Sequence, residues 1–292
     1  MEPDLFAEPT GAGTPSVRRY VAPPGLPLYL GTSSWSFDDW RGTVYPSDAK
    51  SSDYLTHYAK RFMAVEIDMT FYRIPTPSMV ERWHHNTPAD FRFAAKIPQI
   101  ITHEKMLRDC QAELRQFTEV MGLLGDKLGP LLFQFPYFSA RQFRSHDAFL
   151  ERLESTLDRL PEGYRFAVEL RNRGWVTPRL LDLLRAHRVA LALTDHPWMP
   201  TIQQLMRQHD VVTADFVYIR WLGDRKAIEA ITSKWDRLVV DRRQDTATWV
   251  AVVREFLARH LPVYGFYNNH YAGHSPSSIG LFYEIWQKGQ PL

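Results

Sequence analysis

Glu169 stands in the otherwise apolar run Phe166-Ala167-Val168-Glu169-Leu170, with Arg171 just beyond it, then Gly174 and Trp175. A carboxylate inside an apolar strand is costly unless a cation or hydrogen-bond donors meet it. The same form, an apolar run closing on polar residues, recurs along the chain at Ser33, Glu66 with Asp68, Lys96, Gln134, Asp195, Arg220, and Asn268 with Asn269. Strand alternation puts Glu66 with Asp68, and Glu169 with Arg171, on one side of their strands. Carboxylates and cations gathered in one pocket of low dielectric would couple their titrations, which is how a site acquires an acid and a base near neutral pH. On that reading Glu169 and Glu66 are the candidate acid and base. Lys96, Arg171 and Arg220 hold an anionic group or developing charge, and Gln134, Asn268, Asn269 and Asp195 complete the substrate contacts. Trp35, Tyr72 and Trp175, with Trp40 and Trp221, either stack on a sugar ring or base beside these residues or simply pack the core and loops. The bland alternative for the polar set is an ion-pair network that neutralises charges filling the fold.

These residues need elements that bring them together. Eight short apolar runs read as strands: Leu28–Gly31, Ala64–Asp68, Phe91–Ala95, Leu131–Phe135, Phe166–Leu170, Val189–Leu193, Phe216–Ile219 and Val263–Tyr267. Between them, apolar residues at helical spacing place helices from about Ser52, from Thr76-Pro77 to about His85, over Asp109–Leu124, around Ala148–Leu160, from Thr177-Pro178 to about His187, more weakly at Ile202–Arg207, over Thr246–His260 and over Ser278–Lys288. Strands alternating with helices argue for a parallel sheet. Eight such units predict closure into a single-domain (β/α)8 TIM-like barrel over residues 26–292, with the site at the strand C-termini. A doubly wound open sheet is the alternative, disfavoured because no Gly-rich nucleotide fingerprint follows a strand. Residues 1–25, rich in Pro, Gly, Ala and Glu, read as a flexible tail.

Composition narrows the classes further. The 292 residues carry Lys+Arg 35 against Asp+Glu 33, so no general basic footprint for nucleic acid exists. No long apolar segment or secretory signal is evident, and the lone cysteine fits a reducing, cytoplasmic setting. Cys110 reads as a small helical residue with no helix N-terminus or activating base beside it. No GxSxG elbow, P-loop, HxH or HExxH is present, so no cofactor is expected. A hard divalent metal ion on Glu66, Glu169 and Asp195 would need only oxygen ligands, but Lys96, Arg171 and Arg220 already supply positive charge. The segment Asn269–Pro276 precedes the last helix, whose start, with Arg220 nearby, could hold a phosphate.

The ordered fragments GTSSWSF with DWRGTVYP, VEIDMTFYRIP, FRFAAKIP, LLFQFP, VELRNRGW, YIRWLG and FYNNHYAGHSP resemble the DUF72 (YecE-like) family from about Leu28 onward. The resemblance implies a TIM-like barrel. Its characteristic polar residues correspond to Glu66, Lys96, Gln134, Glu169, Arg171, Arg220, Asn268 and Asn269, and its aromatics to Trp35, Phe71, Tyr72 and Trp175, whereas Asp195-His196 matches a looser part of the pattern. It implies no reaction. The expected function is therefore an enzyme, hydrolysis favoured, working by acid–base chemistry on a small polar ligand, anionic or polyhydroxylated. The alternatives are a nucleic-acid-binding protein that captures single strands or damaged bases, and a ligand-binding barrel without catalysis. Neither a membrane partner nor an oligomeric state is indicated.

Overall fold

The structure is a computed structural model that describes residues 19–22 and 25–289. Eight parallel strands close into one barrel in sequence order. They are β1 (Leu28–Ser33), β2 (Ala64–Ile67), β3 (Arg92–Lys96), β4 (Leu128–Gln134), β5 (Phe166–Glu169), β6 (Ala190–Asp195), β7 (Val217–Trp221) and β8 (Val263–Tyr267). Helices α1 (Tyr54–Ala59), α2 (Pro77–His85), α3 (Gln111–Gly122), α4 (His146–Leu157), α5 (Pro178–Ala186) and α6 (Ile202–Gln208) follow the first six strands in turn. A short α7 (Arg225–Glu229) and the longer α8 (Arg243–Ala258) follow β7, and α9 (Ser275–Lys288) ends the fold. The (β/α)8 expectation is thus met.

The strands read as continuous apolar runs because both of their faces are covered. Alternate side chains point outward, where Val65, Ile67, Phe93, Phe133, Val168, Leu193 and Ile219 pack under the helices. The others fill the lumen: Ala64, Ala94, Ala167, Ala190 and Ala192 are small, and they leave room for Leu132, Phe216, Tyr218, Tyr264 and Phe266. Several helices begin where hydroxyls predict them. Ser145 accepts the Ala148 N–H, Thr177 accepts that of Leu180, and Thr201 with Gln204 forms a capping box. At Thr76-Pro77 the helix starts as expected, yet the Thr76 hydroxyl pairs with Ser78 instead of capping.

Several boundaries differ from the sequence reading. α9 starts at Ser275, earlier than Ser278, because the Asn269 side chain accepts both the N–H and the O–H of Ser275. The charged stretch after β7 contains α7, capped by Asp224. Most of the expected N-terminal tail lies outside the described residues. Its end is anchored, however: Arg19 pairs with Asp90, and Tyr20 stacks on Phe62 and Tyr283. Cys110 occupies the position before α3, so a helix N-terminus does adjoin it, but burial, then Glu113, push its thiol upward and leave it a packing residue. Among the described residues no helix is long and apolar enough to cross a membrane.

Gly31 marks the tightest approach in the wall: a Cβ there would lie 1.9 Å from the Ala64 carbonyl oxygen on the paired strand β2. Because that contact is backbone, neither partner can give way cheaply. Gly31→Ala is expected to lower unfolding free energy by roughly 3 kcal/mol. A urea midpoint that implies a loss below about 0.5 kcal/mol would show the strands to be farther apart than described.

Candidate functional site

Parity along the strands fixes what the C-terminal end of the lumen contains. The inward positions above the apolar fill are Ser33, Glu66, Lys96, Gln134, Glu169, Thr194 and Arg220, followed by Asn268 just past β8. Every one is polar. Register places Ser33 beside Glu66, Gln134 beside Glu169, and Thr194 beside Arg220.

Arg220 binds this layer together. Its Nη1 donates to Glu169 Oε2 at 2.6 Å and its Nη2 to Glu66 Oε1 at 2.8 Å. Glu66 also accepts from Ser33 Oγ at 3.0 Å and from Tyr218 Oη at 2.7 Å. Arg171 Nη2 lies 2.6 Å from Glu169 Oε1 as an ion pair, though its N–H is off line for a hydrogen bond. Glu66 and Glu169 are 0% exposed and Arg220 3%, so three charges are sealed in the floor of the site. Around them Arg171, Gln134, Asn268 and Asp68 remain partly exposed, and Lys96 pairs with Asp68 at 2.9 Å while lying over the Phe71 ring.

The electrostatics follow from these contacts. Burial works against a charge on Glu169, but Arg171, Arg220 and more weakly Lys96 outweigh it and hold the carboxyl at about 2. Burial likewise opposes the Arg220 charge, and Glu169 and Glu66 overcome it, so the guanidinium is stabilised in its charged form. The Tyr218 phenol is driven up by burial and by Glu66, which keeps its proton on the hydrogen bond. The expected assignment of Glu169 as acid and Glu66 as base therefore does not follow from the geometry. Glu169 is firmly ionised, and both oxygens of Glu66 are occupied by buried donors.

Three other expected members lie elsewhere. Asp195 is the outward residue of β6: its Oδ2 accepts from Trp249 Nε1 at 2.8 Å on α8, outside the wall. It cannot complete an oxygen cage with Glu66 and Glu169, and among the described residues no three His, Cys, Asp or Glu side chains are grouped to hold a metal ion. Asn269 is buried and ties down the start of α9. Since that contact uses the Ser275 N–H, Pro276 has none, and Arg220 is committed to carboxylates, the expected phosphate cradle is not formed. Trp175 packs on Phe138, Phe149 and His146 under the loops. Trp35 sits half-buried and edge-on to Trp83, Trp40 and Trp221 are fully buried, and Tyr72 alone of the set is well exposed.

Sequence reading missed Thr194 and Tyr218, and it placed His196 only in the looser Asp195-His196 match. Thr194 was available from parity, since it follows Ala192 by one alternation, and Tyr218 likewise precedes Arg220. His196 follows β6 near the layer: burial, then Arg171, lower its imidazole to about 4, with Glu169 and Asp224 pulling the other way. Its Nδ1 accepts the Trp198 N–H at 3.1 Å, so the neutral ring carries its proton on Nε2. No local sequence signal reveals that tautomer.

Glu169 confers stability that is fully present above its ordinary value of 4.5 and is lost as pH falls through about 2. Arg220→Met reverses the sign, because it leaves buried Glu169 short of a cation and burial then favours protonation. The variant should lose roughly 3–5 kcal/mol at pH near 7, and less at about pH 4, where protonation relieves the charge. Equal losses at both pH values in urea unfolding would contradict the described ion pairing.

The profile described as "Protein of unknown function DUF72" matches residues 29–291. The UPF0759 protein YecE of Escherichia coli (strain K12) is 33% identical over 262 residues, covering 80% of this chain and 86% of that protein. A DUF72 family protein from Thermotoga maritima MSB8 superposes with a TM-score of 0.70 at 27% identity, covering 89% of this chain and 99% of that one. Another from Enterococcus faecalis V583 shares the fold at 22% identity and a TM-score of 0.66, covering 90% and 97%. A barrel of eight parallel strands, a polar layer closing its lumen and a family match over nearly the whole barrel place this chain in the DUF72 family.

Proposed function

We propose that the protein is an enzyme, with hydrolysis the favoured reaction, that acts on a small polar substrate carrying anionic or hydroxyl groups at the C-terminal end of the barrel. One observation carries this reading: the sealed charge layer is not self-satisfied. Arg220 Nε has no acceptor and Glu169 Oε1 has no hydrogen-bonded donor among the described residues, although both are buried. Ten other buried side-chain atoms among the described residues also lack a hydrogen-bond partner, Trp40 Nε1 and Tyr283 Oη among them, but Arg220 Nε and Glu169 Oε1 belong to the ionised layer, where an open group costs most. A donor and an acceptor on neighbouring side chains suit a hydroxyl or a water, which can serve both.

The layer above, nearer solvent, is equipped to bind. Beyond its ion pair with Glu169, Arg171 has no other partner among the described residues, which leaves guanidinium donors for an anionic group. Lys96 adds a second cation. Gln134 spends Nε2 on the Phe135 carbonyl and keeps Oε1, while Asn268 spends Oδ1 on His270 and keeps Nδ2. Each therefore offers one orienting contact.

In this scheme Glu66, Arg220 and Glu169 form a fixed electrostatic floor, in which Glu169 and Arg220 stay charged. A carboxylate with a pKa near 2 is a weak base, and Glu169, sealed from solvent, acts on the ligand through Arg171, which it holds at the mouth. His196, neutral at pH 7 with its proton on Nε2, is suited to donate to an oxygen on which negative charge develops. No metal is invoked.

The test is a thermal-shift screen of phosphorylated, carboxylated and polyhydroxylated metabolites, followed by turnover assays on whatever stabilises the protein. Lys96→Met should raise KM on the order of tenfold with kcat little changed. His196→Ala should lower kcat by roughly a hundredfold at similar KM. Tight binding of a metabolite that is never turned over would instead make the barrel a binding module. A screen in which nothing binds, or a His196→Ala enzyme as fast as wild type, would defeat the catalytic scheme.

A further inference from the structure

The loops after β4 and β5 differ in composition from the rest of the rim. Residues 135–145 and 170–177 contain Arg141, Arg144, Arg171 and Arg173 and not one Asp or Glu, in a chain whose formal net charge is only +2. Arg141, Arg144 and Arg173 are exposed, and none has an ion-pair or hydrogen-bond partner among the described residues. Several other surface arginines are paired, as Arg179 is with Asp147, Arg185 with Asp182 and Arg243 with Glu284, and unpaired ones such as Arg115 on α3 and Arg207 on α6 lie on separate helices. Uncompensated like charges gathered on neighbouring loops repel one another, so their concentration needs a reason beyond folding.

The two loops are joined rigidly. The Asn172 side chain accepts the Phe138 N–H and donates to the Phe138 carbonyl, both at 2.9 Å, and is itself buried. Beneath this joint, Phe138, Phe143, Phe149 and Trp175 pack ring against ring. That packing accounts for Trp175, which the substrate reading left unused. Next to Phe138 in sequence, Tyr137 is 61% exposed, an aromatic side chain standing in solvent on the loop that carries Arg141 and Arg144. The following loop, after β6, exposes Trp198 to 63%.

We infer that the joined β4 and β5 loops are a docking platform for single-stranded nucleic acid. Arg141, Arg144 and Arg173 meet successive phosphates, and Tyr137 stacks on a base. Guanidinium groups recognise phosphate oxygens in a forked geometry, and aromatic rings accept any base face, so the pairing favours a strand whose bases are unstacked. Charge alone would draw any polyanion; the exposed ring is what selects bases. The platform borders the barrel mouth at Gln134 and Arg171 but uses neither. It does not depend on the proposed chemistry, and its test reads binding and not turnover.

The experiment is fluorescence anisotropy of a labelled oligothymidylate of about 12 nucleotides, a length within common single-strand site sizes. Three phosphate contacts predict that log K falls with log salt at a slope of about −2. Arg141→Ala/Arg144→Ala/Arg173→Ala should weaken binding at least tenfold at low salt and flatten the slope toward zero. Tyr137→Ala should weaken it roughly tenfold with the slope unchanged. All four positions are surface residues, and an unchanged melting temperature would confirm that the variants fold. The inference is overturned if the wild-type chain does not bind, or if the triple variant binds as wild type does. It is equally overturned if Tyr137→Ala has no effect and heparin or a duplex of the same length competes as well as the single strand, because that would reduce the surface to a charge patch.

Discussion

Arg220 lies between two carboxylates that no solvent reaches, and the rest of the site is arranged around that fact. Glu66 comes from β2, Glu169 from β5 and Arg220 from β7, so the interaction ties together strands from widely separated parts of the barrel circumference. One guanidinium against two carboxylates leaves an excess negative charge, which Arg171 neutralises from above. Removing these groups from water is expensive, and the cost is met only by nearly complete pairing. Ser33 and Tyr218 complete the pairing at Glu66. Tyr218 reaches across the lumen because the inward residues of β2, β3, β5 and β6 are alanines. The choice of small residues in the apolar layer and of acids in the polar layer is thus one arrangement.

The pairing within this network is nearly complete. Arg220 Nε and Glu169 Oε1 are the exceptions, and both belong to the sealed layer. The charged groups that could reach a bound molecule, Lys96 and Arg171, stand one step nearer solvent and are each restrained by a single acid. Rigid charges below and adjustable donors above form a natural division of labour for a polar ligand. The same rim carries, on its β4 and β5 loops, arginines with no acid to restrain them, and there the expected ligand is larger.

Most of the fold could be read from the chain because each strand is a compact apolar run bounded by turn or cap residues, and eight of them leave few topologies. The convergence of Glu66, Lys96, Gln134, Glu169, Arg171, Arg220 and Asn268 was also legible, since each closes such a run. What alternation could decide, and what was misread, is Asp195: it is adjacent to Thr194, and a shift of one residue turns a side chain from lumen to wall. Asn269 beside Asn268 repeats the same lesson at β8. Other features were beyond one-dimensional reading. Whether a carboxylate is an acid or a fixed anion depends on which cation faces it, and the partner of Glu169 is distant in sequence. The His196 tautomer rests on a single backbone N–H. Trp175 resembled a ligand-stacking residue because position beside a strand end does not reveal that aromatic residues of α4 and the β4 loop close over it.

Glu169 is a permanent anion fixed by Arg171 and Arg220, and carboxyl carbon NMR reads this directly. With glutamate carboxyls labelled with carbon-13 and the Glu169 resonance assigned by Glu169→Gln, a titration downward from neutral pH should leave that signal at its ionised position well below 4.5, moving only toward about 2 or at unfolding. A midpoint at or above 4.5 in the folded protein would mean that the cations do not hold the carboxylate, and the description of the site as a fixed electrostatic floor would be wrong.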